Sequence, residues 1–269
     1  MKKRILTWLL AISMLGSLLT VPAGAAAVTK FSDVSDSYTA TAIETLRLMG
    51  VLDGYGDGTF RPDTVLNRAQ FCKMAVYAMD GSGELGRYST VTIFPDVKPS
   101  HWASAYINMA SRKGIISGFA DGKFKPGQTV TAGQAVTILM RGLGYKDEDM
   151  GGVWPQSYMA EAQTNGLLKS TGITSAYAGV TRAQAAKLFM NLFEAKHGKG
   201  DVLFSYSVGK NEVYLTAVDG GKGTMTAGGT EYDMAHTVTS TSLIGSKGKV
   251  VTNSEGEILT FLPVTGSGG

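Results

Sequence analysis

The stretch NRAQFCKMAVYAM, residues 67–79, begins with a helix-start signal that the chain repeats twice. The other copies are TAGQAVTILMRGL at residues 131–143 and TRAQAAKLFMNLF at residues 181–193. Each begins with Asn or Thr and has Gln three residues later, the spacing of a capping box in which both side chains satisfy backbone groups at a helix start. An apolar run with helical spacing follows each signal. The chain therefore contains three copies of one helix-forming unit.

The first two copies also match on their amino-terminal side. FSDV from Phe31 corresponds to FPDV from Phe94, and GVLDGYGDGTFRP from Gly50 corresponds to GIISGFADGKFKP from Gly114 without a gap. The third copy has diverged further, because it has no FxDV start and has KSTGITSAYAG from Lys169 where the others have Asp-Gly-x-Phe-x-Pro. Two copies are thus close relatives of each other, and the third is a degenerate one.

Each copy is predicted to form a helix, a loop and a second helix. In HWASAYINMASRKG, residues 101–114, apolar side chains recur at helical spacing and Gly114 supplies a stop signal. A single helical hairpin cannot bury its apolar stripe, whereas three together can. The predicted fold is therefore mainly α, a pseudo-threefold bundle of three helix-loop-helix repeats, followed by a small β-rich module.

These features resemble the S-layer homology family. The shared marks are the FxDV start, an aromatic residue opening the first helix, the glycine-rich Asp-Gly-x-Phe-x-Pro loop and a Thr-Arg-Ala-Glu helix start, whose last residue is Gln here; they cover about residues 31–195. Members of this family bind secondary cell-wall polysaccharides, often through a pyruvylated terminal sugar, and hold proteins on a bacterial surface. The resemblance implies a non-catalytic anchoring protein whose partner is a pyruvylated secondary cell-wall polysaccharide.

The beginning of the chain has the pattern of a secretory signal. MKKR is followed by an apolar run from Ile5 to about Leu19 and then by VPAGAAA, with cleavage predicted after Ala25 or Ala27. The run is too short to favour membrane anchoring. The protein is therefore expected to be secreted to the bacterial cell wall. The predicted boundaries are 1–27 for the signal peptide, 28–80 for the first repeat, 81–93 for a linker, 94–144 for the second repeat, 145–197 for the degenerate third repeat and 198–269 for the β module.

Charge excludes two classes of partner. The whole chain has 25 Lys and Arg against 22 Asp and Glu. Lys2, Lys3 and Arg4 lie in the predicted signal peptide, which has no acidic residue, so the mature chain is formally neutral. A neutral chain without a basic run offers no electrostatic footprint for nucleic acid or for an anionic membrane. Binding of an anionic polymer then depends on local pockets.

From about Gly200 the pattern changes to short apolar or alternating stretches separated by turn residues. This pattern predicts a small half-open barrel or sandwich, for which the sequence indicates neither a family nor a partner. LPVTG, residues 262–266, matches the sortase-substrate pattern, which also needs a following apolar span and basic tail. Unless the chain is a piece of a longer one, a final strand is the preferred interpretation.

The helix starts carry the candidate binding residues. Unpaired N–H groups at a helix N-terminus attract anions, and an Arg in the first turn adds a planar fork suited to a carboxylate such as a pyruvate ketal. Arg68 and Arg182 occupy this position, and solvated surface charges are the alternative interpretation. In the second repeat Ala132 and Gly133 replace the Arg-Ala pair, so this site is predicted to lack its charged donor.

Aromatic and acidic residues complete the candidate set. Tyr38, Trp102 and Trp154 open the first helices, where an aromatic face either stacks on a sugar or covers the core. Asp33 and Asp96 of the FxDV elements either accept hydrogen bonds from sugar hydroxyl groups or cap a turn.

Catalytic and metal-binding patterns are absent from the sequence, and no cofactor is predicted. The three His residues are isolated, and the single Cys72 aligns with small apolar residues, which favours a buried side chain over a reactive thiol. Two alternatives stay open. One is a wall-associated glycan hydrolase that uses scattered acids such as Glu161 and Glu212, and the other is a self-assembling surface-layer subunit.

Overall fold

The computed structural model describes residues 31–79 and 82–264, and every structural statement below refers to these residues. The predicted signal peptide, residues 1–27, lies outside them, as do Thr265 and Gly266 of the LPVTG stretch. Over the described residues, none of the helices has the length and apolar character needed to cross a membrane.

Six α-helices form in the described part of the predicted repeats, two in each. The capping boxes predicted at the second helices are confirmed, because the Asn67, Thr131 and Thr181 side chains each accept from the N–H of the Gln three residues later, and that Gln accepts in return. The helices are α1 (Ser37–Leu48), α2 (Arg68–Ala78), α3 (Ser104–Arg112), α4 (Ala132–Gly142), α5 (Gln156–Thr164) and α6 (Arg182–Asn191), with 3₁₀ turns at Ser82–Tyr88 and Asp147–Asp149.

A closed ring of hydrogen bonds joins the residues that precede α2, α4 and α6. The N–H of Leu66 donates to the carbonyl of Val180 at 2.9 Å, that of Val180 to Val130 at 3.0 Å, and that of Val130 back to Leu66 at 3.1 Å. All three residues are at most 3% exposed. Because unpaired buried backbone groups are costly, the ring fixes the three helix starts relative to one another.

The next N–H groups of α2, α4 and α6 are satisfied across the same ring. The first and second N–H groups of each helix donate to carbonyl groups of a neighbouring repeat, and the capping box takes the third. The helix N-termini are therefore saturated by the protein itself. The donors and acceptors are Arg68 to Gln128, Ala69 to Pro126, Ala132 to Ala178, Gly133 to Ala176, Arg182 to Thr64 and Ala183 to Pro62.

The first helix of each repeat packs against the second helix of another repeat. Helix α1 lies on α6, α3 on α2 and α5 on α4. The repeats are thus not self-contained helical hairpins, and the core is continuous through all three.

The C-terminal part is an antiparallel sheet curled into a half-barrel. Its strand order is β1-β5-β2-β3-β4, with β6 paired to β5. Since the structure is 31% helical and 16% strand, the prediction of a mainly α fold is wrong. The helices are short and joined by long turns, and a whole sheet follows them. The strands are β1 (Ser207–Val208), β2 (Val213–Asp219), β3 (Thr224–Ala227), β4 (Thr230–Asp233), β5 (Lys247–Thr252) and β6 (Ile258–Pro263).

The sheet shares buried contacts with the helical part. Strand β6 packs on α1, and Leu48 of α1 belongs to the hydrophobic core of the sheet. Leu259 of β6 and Phe204 in turn belong to the core of the helices. The Phe204 ring packs directly against Gly142. A Cβ atom added at residue 142 would lie 2.0 Å from that ring. The helical part and the sheet therefore form one packed body.

Gly133 should resist replacement by alanine, although alanine favours helices. A Cβ at Gly133 would lie 2.6 Å from the Cβ of Pro155 and 3.2 Å from the carbonyl oxygen of Ala176. Overpacking costs about 1–3 kcal/mol and outweighs the gain of about 1 kcal/mol in helix propensity. We therefore expect Gly133→Ala to lower the free energy of unfolding by roughly 1 kcal/mol in urea titrations.

The matched control is Gly127→Ala, because a Cβ at Gly127 meets nothing within 4 Å. Its free energy of unfolding should stay within about 0.5 kcal/mol of the wild type. A Gly133→Ala variant as stable as this control would contradict the packing described here.

Candidate functional site

A cavity of about 410 Å³ opens between α4, the start of α5 and the loop that follows α3. All three repeats contribute to its wall, Arg68 from the first, α4 and its preceding loop from the second, and Trp154 from the third. We call it the first cavity. Its polar and aromatic lining includes Arg68, Phe119, Gln134, Thr137, Arg141, Asp147, Trp154 and Tyr158.

Arg68 brings to the first cavity a positive charge with no carboxylate in direct contact, although Asp96 stabilises it from a longer distance. Its Nε donates to the carbonyl of Phe124 at 2.8 Å and its Nη2 to that of Ser117 at 3.1 Å, and the guanidinium lies over the Phe119 and Phe124 rings. The residue is only 5% exposed. Burial lowers the pKa of the guanidinium, but an Arg stays protonated in proteins. No carboxylate of the described residues forms an ion pair with it.

Arg141, the second cation of the cavity, is neutralised locally. Its Nε and Nη2 bind both oxygens of Asp147, at 2.9 and 2.6 Å, and its Nη1 donates to the hydroxyl of Ser117 at 2.9 Å. Tyr158 donates its hydroxyl to Asp147 as well. The Arg141 hydrogen bond lowers the pKa of the Asp147 carboxyl, whereas burial, with the Asp147 contact, raises the pKa of Tyr158 to about 12. The net charge of the lining therefore comes from Arg68.

Trp154 supplies an aromatic surface at the edge of the first cavity. Its indole N–H donates to the hydroxyl of Thr137 at 2.9 Å, and that hydroxyl donates to the carbonyl of Gly133 at 2.7 Å. The residue is nevertheless 51% exposed. A half-exposed ring whose polar edge is held in place suits the apolar face of a sugar.

Arg182 occupies the equivalent place in another repeat but does not line the first cavity. Its Nε donates to the carbonyl of Phe60 at 2.8 Å and its Nη2 to that of Asp53 at 2.7 Å. Arg68 and Arg182 therefore both fasten the loop of a neighbouring repeat, and neither extends over its own helix start. Ala132 is buried and has no side chain for such a contact.

Asp33 and Asp96 hold the glycine-rich loops. Asp33 accepts from the N–H groups of Phe60 and Arg61 at 2.8 and 2.7 Å, and Asp96 accepts from Phe124 and Lys125 at 2.9 and 2.7 Å. The Phe60 N–H lowers the pKa of Asp33. For Asp96 burial raises the pKa, but the two N–H groups outweigh it and leave the pKa lowered.

The two remaining aromatic candidates lie away from the first cavity. Tyr38 is half-buried and donates its hydroxyl to Asn191 of α6 at 2.6 Å, and burial raises its pKa. Trp102 is 56% exposed and lies beside His101 and Tyr106. Of the seven predicted site residues, the structure brings Arg68 and Trp154 together at this cavity.

Arg141, Asp147 and Tyr158 were missed by the sequence reasoning. One signal was available, because Gln134, Thr137 and Arg141 follow one another at steps of three and four residues and so share a face of α4. The pairing of Arg141 with Asp147 across a loop had no such signal.

Catalytic and metal-binding groups do not converge on the first cavity. Neither Glu161 nor Glu212 lines it, and Asp147 is its one carboxylate among the described residues. Within the described ranges no cluster of three or more His, Cys, Asp or Glu side chains is placed to hold a metal ion. The prediction that Cys72 is buried is confirmed, and burial raises the pKa of its thiol to about 12.

Comparison with known protein families identifies two segments. Residues 30–72 and 93–136 match the sequence model of the S-layer homology domain. These segments contain both FxDV elements and the starts of α2 and α4, so the resemblance seen in the sequence is confirmed for the first two repeats. The third repeat lies outside both matches.

Several cell-surface proteins are similar to this chain. The Middle cell wall protein of Brevibacillus brevis is 32% identical over 167 residues, which are 61% of this chain and 15% of that protein. The Cell surface protein of Thermoanaerobacter kivui is 37% identical over 162 residues, 59% of this chain and 20% of that protein. The Cellulosome-anchoring protein of Acetivibrio thermocellus is 32% identical over 115 residues, 42% of this chain and 26% of that protein. The chain thus spans about a fifth or less of the length of the first two relatives.

The two loop-holding aspartates should make stability depend on pH in acid. Because their pKa values are lowered in the folded protein, the stability they contribute is complete above about pH 4 and is lost as the pH falls through the folded values. We expect the double variant Asp33→Asn/Asp96→Asn to be less stable at neutral pH and to lose less stability between about pH 4 and pH 2. Urea titrations across this range measure both effects.

Asp63→Asn is the control, since Asp63 is exposed and lies outside these loop contacts. Its pH profile should follow that of the wild type. An unchanged profile in the double variant would show that the two carboxylates do not support the loops.

Proposed function

We propose, from the S-layer homology segments at residues 30–72 and 93–136, that this chain is a non-catalytic anchoring protein of the bacterial cell surface. In this proposal it is secreted and binds secondary cell-wall polysaccharide through the first cavity. The printed names of the relatives, which refer to the cell wall, the cell surface and anchoring, support the location. The predicted signal peptide agrees with it.

The pairing of Arg68 with Trp154 carries this proposal. A buried guanidinium without a carboxylate partner favours an anionic ligand, and a charge-assisted hydrogen bond contributes about 1.5–3 kcal/mol. Trp154 offers an open aromatic face at the edge of the same cavity. A sugar that bears one carboxylate, such as a pyruvate ketal, matches both the Arg68 guanidinium, which has no ion-pair partner, and the aromatic surface.

The arrangement of acidic residues favours binding over glycan hydrolysis. Glycoside hydrolysis commonly uses two carboxyl groups on either side of the scissile bond, one of which must be protonated at the working pH. The cavity has Asp147, whose pKa is lowered by its Arg141 hydrogen bond and which is therefore poorly suited to donate a proton. Glu161 and Glu212 lie elsewhere. Anchoring through bound polysaccharide is the function that these residues support best.

Replacing Trp154 should weaken polysaccharide binding selectively. Trp154→Ala removes the aromatic surface of the cavity, and losing the burial of a large apolar side chain costs roughly 1.5–3 kcal/mol. We expect the affinity for purified secondary cell-wall polysaccharide to fall about tenfold or more in calorimetric titrations. The melting temperature, measured in parallel, separates this effect from unfolding.

The matched control is Trp102→Ala. Trp102 opens α3 as Trp154 opens α5 and is similarly exposed, but it does not line the first cavity. Its affinity should stay within about twofold of the wild type. Equal losses in both variants, or none in Trp154→Ala, would contradict the assignment of the first cavity.

A further inference from the structure

One peptide group connects Arg68 to Asp96. The carbonyl oxygen of the Phe124–Lys125 peptide group accepts from the Arg68 Nε–H at 2.8 Å, and its N–H donates to the Asp96 carboxylate at 2.7 Å. A trans peptide group is planar and rigid, with its C=O and N–H on opposite sides. Hydrogen bonds in a chain also polarise one another, so the carboxylate strengthens the carbonyl as an acceptor. We call this arrangement of carboxylate, peptide group and guanidinium the relay.

The first repeat contains a second relay of the same form. The N–H of Arg61 donates to the Asp33 carboxylate at 2.7 Å. The carbonyl of Phe60, in the same peptide group, accepts from the Nε–H of Arg182 at 2.8 Å. In both relays the carboxylate lies in the repeat that owns the loop, and the Arg comes from another repeat. The relay is therefore a link between repeats.

The third relay is absent at both ends. Ala132 stands where an Arg would reach the loop of the third repeat, and its N–H donates to the carbonyl of Ala178 in that loop. The third repeat has no FxDV element and so no counterpart of Asp96. Two relays are thus complete, and the third lacks both its carboxylate and its guanidinium. This pattern indicates that the two side chains work together, because an Asp that only held its own loop would not require an Arg from another repeat.

The loop of the second repeat needs its carboxylate to keep its shape. Lys125 has a φ of 58°, a left-handed backbone conformation that residues with a side chain rarely adopt. Such a conformation persists only when the surrounding structure holds it. Asp96 does so by accepting from the N–H groups of Phe124 and Lys125. Phe94 packs under the other end of the loop, since a Cβ at Gly118 would lie 2.7 Å from its ring.

This loop supplies the side-chain contacts of Arg68. The guanidinium donates to the carbonyl groups of Ser117 and Phe124 and lies over the rings of Phe119 and Phe124. In the described part of the chain its Nη1 has no hydrogen-bond partner, so this group remains for a ligand in the first cavity. Asp96 does not line that cavity and therefore does not compete with an anion.

We infer that Asp96 is a positioning residue of the first cavity, which fixes the Arg68 guanidinium through the Phe124–Lys125 peptide group. The inference rests on the proposed function, because the ligand of Arg68 is the anionic polysaccharide proposed there. Asp96 acts on binding without touching the ligand. Asp33 has the same role for Arg182, which does not line the first cavity. The chain therefore contains its own matched control.

The test compares Asp96→Asn with Asp33→Asn in the full chain. Asn has one acceptor oxygen where the carboxylate has two, so each variant weakens the hold on one loop. Asp96→Asn should lower the affinity for purified secondary cell-wall polysaccharide about tenfold in calorimetric titrations, whereas Asp33→Asn should stay within about twofold of the wild type. Both should lower the melting temperature by similar amounts, so a loss of stability alone would not explain the difference.

A double-mutant cycle shows whether the effect passes through Arg68. Once Arg68→Met has removed the guanidinium, adding Asp96→Asn should cause no further loss of affinity. If Asp96→Asn weakens binding equally in both backgrounds, or if Asp33→Asn weakens binding as much as Asp96→Asn does, the positioning role is refuted and the proposed function stands.

The relay can also be tested without a ligand. In ¹⁵N NMR spectra Asp96→Asn should shift the Arg68 Nε–H signal and leave that of Arg182 unchanged, and Asp33→Asn should do the reverse. If the wild type does not bind the polysaccharide, the proposed function fails, and these signals decide on the relay alone.

An acid titration of the wild type takes over if circular dichroism shows that Asp96→Asn is unfolded. The Arg68 Nε–H and Lys125 N–H signals should then shift together as Asp96 is protonated. Asp147, the acid that lines the cavity, is followed separately through the Nε–H of Arg141, to which it is bound. An Arg68 signal that does not follow the Lys125 signal refutes the relay.

Discussion

The ring of backbone hydrogen bonds among Leu66, Val130 and Val180 is the constraint on which the rest of the structure depends. It sets the starts of α2, α4 and α6 against one another and directs the N–H groups of each helix to carbonyl groups of a neighbouring repeat. Only in this arrangement does Arg68, from the first repeat, reach the loop of the second and share a cavity with Trp154 from the third. The first cavity is a product of the ring.

Local features of the fold were predictable from the sequence, and nonlocal ones were not. A capping box depends on two residues that are three positions apart in sequence. Thr181 and Gln184 therefore predict the start of α6 without any tertiary context. The pairing of α1 with α6 joins opposite ends of the helical part, and no periodicity encodes it. The prediction of a mainly α fold failed because the six helices are short and joined by long turns, so that they make up only 31% of the structure.

The candidate site also combines features that the local sequence predicts with features that depend on packing between repeats. Arg68 and Trp154 were identifiable because their positions recur among the repeats, but their meeting depends on packing between repeats. The sequence allowed Asp33 and Asp96 either to bind sugar hydroxyl groups or to cap a turn. In the structure both carboxylates accept hydrogen bonds from backbone N–H groups of the glycine-rich loops and so hold these loops. The saturated helix starts also remove the free N–H groups that the sequence reasoning had offered to an anion. The side chains that remain free to face a ligand are those on the helix faces.

The hydrogen bonds between the first and third repeats also set the order of events when the chain folds. The N–H group of Leu66 has no acceptor until the chain includes Val180. Helix α1 likewise cannot pack on α6 until α6 has formed. Contacts between residues so distant in sequence form slowly, because the intervening chain must first be closed into a loop. A partly synthesised chain therefore lacks the interactions that would lock it into its final shape. The starts of α2 and α4 are therefore fixed only once the chain has been made as far as α6.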